Sequence, residues 1–235
     1  MTNDISKINS QHDTSDILQW TLQGLFEGIT GIASSDRKEW GLSIGYLCQR
    51  LRGGKFLRTL SDEWNKYREK GKIKDDYMSS EQHQACLQEM LDFLDKDSPD
   101  EIRFSFLKKI FLISATETTS NRNSVIPQQF MKICRSLSSG EILVMQGAYS
   151  FLKRGRIDPN DLNVQSWMKN VAKESGLIYP SLVESYDSEL ERKKIIMDRI
   201  HSDKSGVRLG QYYRLTELGY QICKFIESYD SEEKG

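Results

Sequence analysis

Proline is scarce, with four in 235 residues, so little in the chain forces a helix to stop. Cysteine is scarce too, and Cys48, Cys86, Cys134 and Cys223 are far apart, each inside an apolar helical pattern. That spacing carries neither a dense disulfide framework nor a zinc site, and buried free thiols in a reducing cytoplasm are expected, a disulfide pair or regulatory thiol being the alternative. Long apolar runs are missing. The longest apolar-leaning stretch, 17–33, contains Gln19, Gln23 and Glu27, whereas a bilayer needs about 20 consecutive apolar residues. No membrane partner is predicted. Residues 1–16 lack a basic region followed by an apolar core, so a mobile tail is expected there rather than a secretory signal. Internal repeats and low-complexity segments are absent.

Motifs of catalysis and ligand binding are also missing. Gly41-Leu42-Ser43-Ile44-Gly45 has the letters of a nucleophile elbow, but the charged helix start Ser35-Asp36-Arg37-Lys38-Glu39 stands where a buried strand is needed. Arg52-Gly53-Gly54-Lys55 fails as a phosphate loop, with Gln49 in place of glycine and Phe56 in place of Ser or Thr. Asp95, Asp97 and Asp100 are interrupted by Pro99 and read as helix capping rather than a calcium loop. His83 and Cys86 share a helix face without a second pair of metal ligands. A non-enzyme with no catalytic residue, metal, cofactor or small-molecule substrate is the expectation.

What is present is charge and helical periodicity. Hydrophobic residues make up 37% and charged residues 29% of the chain, which excludes wholesale disorder. The net charge of −1 conceals two adjacent blocks: residues 50–74 hold nine Lys or Arg and three Asp or Glu, residues 75–101 one and nine. They attract each other across a helical hairpin, form two faces of a binding surface, or are solvated faces. Ser35 can cap a helix with Trp40, Ile44, Leu47 and Leu51 inward. Gly53-Gly54 predicts a break before a second helix with Leu57, Leu60, Trp64 and Tyr67 inward and Gly71 as its stop. Ser79 and Gln82 have capping-box spacing before Cys86, Leu87, Met90, Leu91 and Leu94, and Ser98-Pro99-Asp100-Glu101 opens a helix with Ile102, Phe106, Leu107, Ile110, Phe111 and Ile113.

After a polar loop at 118–125, Pro127 opens a short helix with Phe130, Ile133, Cys134 and Leu137. Ser138 and Glu141 form a further capping box before Ile142, Leu143, Ala148, Tyr149 and Leu152, with Gly155 as the stop. Asn163 caps the next helix, with Trp167, Val171 and Ala172 inward and Gly176 as its stop. Pro180 opens a third with Leu182, Val183, Tyr186 and Leu190 inward. Ile195-Ile196-Met197, a turn at 202–206, and Tyr212-Tyr213-Arg214-Leu215-Thr216-Glu217-Leu218-Gly219 follow, with Tyr220, Ile222, Cys223, Phe225 and Ile226 behind them.

In their order, Ala172-Lys173-Glu174-Ser175-Gly176-Leu177, the passage from Leu190 to Ile196, and Tyr213 to Gly219 make residues 138–229 resemble a winged helix of the MarR or PadR regulator type. The resemblance implies a third helix that enters the DNA major groove and a wing against the flanking backbone. Phe130, Ile133, Leu137 and Glu141 make residues 130–145 similar, over that short span, to the Abi-alpha group of bacterial phage-resistance proteins. The expected class is mainly α: an N-terminal helical bundle followed by a C-terminal winged helix with a small two-stranded β wing. The expected domains are a tail (1–16), the bundle (17–125), a connecting helix (126–137), the winged helix (138–229) and an acidic tail (230–235).

The charge of the third helix bears on function. From Pro180 to Glu191 it has no Lys or Arg and carries Glu184, Asp187, Glu189 and Glu191, carboxylates that duplex phosphates repel. By contrast, residues 192–214 hold seven basic and two acidic residues. The favoured expectation is a cytoplasmic interaction protein whose acidic residues Glu184, Asp187, Glu189 and Glu191 meet a protein partner or a second copy, in bacterial phage defence or regulation. The alternative is a transcriptional regulator that grips duplex DNA through Arg192, Lys193, Lys204, Arg208, Tyr212 and Arg214, assisted by Arg52, Lys55 and Arg58.

Overall fold

A computed structural model describes residues 51–73, 77, 80–97, 99–116, 125–154, 164–197, 202–203, 206–207 and 214–233. These form eight helices: α1 (Leu51–Glu69), α2 (Glu81–Lys96), α3 (Glu101–Ser114), α4 (Val125–Arg135), α5 (Ser139–Lys153), α6 (Val164–Ser175), α7 (Pro180–Arg192) and α8 (Glu217–Glu233). The chain divides into two compact units, 1–132 and 133–235, and the division falls inside α4. The expected tail 1–16, the helix capped by Ser35, the Gly41 to Gly45 motif, Cys48, the loop at 118–124, Gly155, and the cap at Asn163 lie outside the described residues.

In the first unit α1, α2 and α3 pack on one another. Leu57, Leu60, Trp64 and Tyr67 of α1 are buried against Cys86, Met90, Phe93 and Leu94 of α2 and Phe106, Leu107, Ile110 and Phe111 of α3. Each such side chain contributes roughly 1.5–3 kcal/mol when fully buried. The break expected at Gly53-Gly54 is not there, because α1 runs through both glycines. Their cost, about 1 kcal/mol each relative to alanine, is offset by the burial of Phe56 and Leu57 in the next turn. Gly71 does end the helix. At φ +65 it lets Lys72 N–H donate to the Tyr67 carbonyl at 2.9 Å and its own N–H donate to Arg68 at 2.9 Å, the paired bonds of a left-handed helix stop.

Two caps differ from their expected positions. Ser80, rather than Ser79, caps α2: its hydroxyl accepts from His83 N–H at 3.1 Å and donates to the Tyr77 carbonyl at 2.6 Å. Asp100, rather than Ser98, caps α3, accepting from the N–H groups of Ile102 and Arg103 at 3.0 and 3.1 Å. A carboxylate there satisfies two orphan donors and also meets the positive end of the helix. Across the two charge blocks, Lys55 pairs with Glu101.

In the second unit α5, α6 and α7 pack on one another and α8 packs on α5. The Ser138–Glu141 box is complete: Glu141 N–H donates to the Ser138 hydroxyl at 3.3 Å, and Ser138 N–H donates to the Glu141 carboxylate at 2.6 Å. Gly176, at φ +70, ends α6 through Leu177 N–H donating to the Ala172 carbonyl at 2.9 Å. The same stop recurs after α7 with Lys194 at φ 61, where Ile195 N–H donates to Leu190 and Lys194 N–H to Glu191, both at 2.9 Å. α8 runs on through Glu233, into the stretch expected to be an acidic tail.

The expected winged helix with a two-stranded wing is corrected: the described residues make a mainly helical fold in which no such wing is shown. Ser202–Asp203 and Gly206–Val207 pair antiparallel over two residues each, enough to close a turn, and Ile196 and Leu215 form one isolated bridge. A wing needs ladders longer than that to hold its strands apart from the helices. Residues 198–201 and 208–213, where longer ladders would have to run, lie outside the described residues.

Candidate functional site

Among the described residues, helix α7 packs into the second unit through an apolar stripe and a buried ion pair. Val183, Asp187 and Leu190, spaced four and three residues apart, all face inward. An aspartate on a buried stripe needs a cation, and Arg214 supplies it: Nη1 donates to Asp187 Oδ2 at 2.8 Å, with side chains only 6% and 3% exposed. The guanidinium also lies over the Trp167 ring, 4.4 Å from its centroid, and donates to the Met197 carbonyl at 3.1 Å. Asp187 and Arg214 are therefore corrected. They neutralise each other inside the unit, so Asp187 leaves the acidic interface set and Arg214 leaves the DNA-gripping set.

The other expected residues are placed as follows. Arg192 is exposed and gives two hydrogen bonds to Glu189 at 2.7 and 3.0 Å, which holds its guanidinium above its ordinary pKa. Lys193 is turned away from solvent: it meets the Glu141 carboxylate at 2.5 Å and the Ser136 carbonyl at 2.8 Å. Burial pushes the Glu141 pKa up, but the bonds from Lys193 and Ser138 outweigh it and hold the carboxyl below its ordinary value. Lys55 is engaged with Glu101, while Arg58 is exposed on α1. Arg52 lies in α1 with its side chain outside the description, as are Lys204, Arg208 and Tyr212 altogether. Glu184 and Glu189 are exposed and Glu191 is half-buried.

What the structure brings together is an apolar and acidic face on α7. Leu182, expected inward, is 40% exposed, and the two residues before Pro180 are more so, Ile178 at 83% and Tyr179 at 63%. The reason is helical phase. The stripe set by Val183, Asp187 and Leu190 places Leu182 a residue, about 100°, away from it. Ile178 and Tyr179 stand between the Gly176 stop and the first turn of α7, outside either helix's buried periodicity. That position, large apolar residues between a stop signal and a start signal, was the available sign of their exposure.

The first unit holds its polar groups inward instead. His83 is fully buried among Trp64, Tyr77 and Phe111, with ring centroids at 5.4, 4.9 and 5.7 Å. Tyr77 and Ser114 share a 2.5 Å hydrogen bond, in which Tyr77 is the donor because Ser114 gives its proton to the Phe111 carbonyl. Burial pushes the Cys86 thiol up to about 12, which leaves it protonated and unreactive at neutral pH. Cys86, Cys134 and Cys223 are buried free thiols. Among the described residues no group of three or more His, Cys, Asp or Glu is placed to hold a metal, and no helix is long and apolar enough to cross a membrane. No family model, curated protein or solved structure matches the chain.

Proposed function

We propose that this is a non-enzymatic, cytoplasmic interaction protein that meets another protein through the exposed face of α7. The observation that carries the reading is the withdrawal of Arg214 into the buried pair with Asp187. The segment from Ile178 to Glu191 itself holds no Lys or Arg, and the cation that follows, Arg192, is engaged with Glu189. Duplex binding depends on neutralising phosphates, and this face offers carboxylates and apolar side chains. The reading sets this role in bacterial phage defence or regulation, in line with the short resemblance of residues 130–145 to the Abi-alpha group.

Fluorescence anisotropy with labelled duplex DNA, titrated from low salt upward, tests the reading. The wild-type chain is expected to leave duplex unbound at low salt, and Glu184→Lys with Glu189→Lys is expected to raise affinity for it. Tight duplex binding by the wild type, weakening steeply with salt, would instead establish the regulator reading through residues 192–214.

A further inference from the structure

We draw no further inference here: the strongest candidate, the surface patch of exposed apolar side chains Ile178, Tyr179 and Leu182 at the start of α7, carries nothing because nothing in the structure shows what covers it.

Discussion

The two units close their interiors by different chemistry. The first surrounds Trp64, His83 and Phe111 with aromatic and aliphatic side chains and satisfies Tyr77 through a neutral hydroxyl on Ser114, with Lys55–Glu101 and Lys108–Glu63 at its more exposed margin. The second seats its ion pair deeper, with the Asp187 and Arg214 side chains 3% and 6% exposed against 11% and 19% for Lys108 and Glu63 of the first. The difference teaches that a residue's charge says where it belongs only after its partner is known. Arg214 reads as a surface cation along the chain, and its carboxylate partner turns it into a core residue.

The largest expected effect breaks the ion pair on one side. Arg214→Ala leaves Asp187 buried without its cation and should cost about 3–5 kcal/mol, read by chemical denaturation of the full chain. Adding Asp187→Leu to Arg214→Met should return most of that stability, since a well-packed apolar pair can replace a buried ionic one. If the double variant is as unstable as the single, the pair is not acting through charge. Phe111→Ala in the first unit should cost a similar 3–5 kcal/mol through the cavity it leaves. No second polar substitution should repair that loss, because no charge has been stranded.

Smaller effects sharpen the comparison at the edges of the second unit. A Cβ at Gly140 would lie 2.1 Å from the Tyr186 ring, so Gly140→Ala should destabilise by about 1–3 kcal/mol in thermal unfolding, the usual cost of overpacking. Glu141→Gln should cost about 1 kcal/mol at neutral pH by weakening the cap and the bond to Lys193. Because the folded-state pKa of Glu141 lies below its ordinary value, the stability it contributes is present above the ordinary carboxylate range. It is lost as pH falls through the lowered value. Wild type and Glu141→Gln should therefore converge in stability in acid, and a gap that widens there would contradict the assignment. Lys194→Gly should stabilise by roughly 0.5–1 kcal/mol, since Lys194 holds a left-handed φ of 61 that glycine adopts without strain.

Much of the helical framework was legible because its signals are local. The Ser138–Glu141 box, the stops at Gly71 and Gly176, and proline at the start of α7 each report on a single turn of backbone. The buried positions of α1, including Trp64 and Tyr67, followed from spacing alone. What was not legible depends on partners far along the chain. Helical phase could have placed Asp187 on the Val183–Leu190 stripe, but nothing local identifies Arg214 as its counter-charge. Leu182 was misplaced because an apolar residue beside a buried one reads as core until the stripe's centre is known. The caps at Ser80 and Asp100 slipped because neighbouring residues compete for the same orphan N–H groups, and the choice between them is geometric.

The buried pair also sets an order of events during synthesis. Asp187 emerges 27 residues ahead of Arg214, so the nascent chain passes through a stage in which α5, α6 and α7 are available but the guanidinium that pairs with Asp187 has yet to be made. Packing α7 at that stage would strand a buried anion. Closing the helical unit is therefore more favourable once the segment leading into α8 has been made, and the late-arriving arginine acts as its latch.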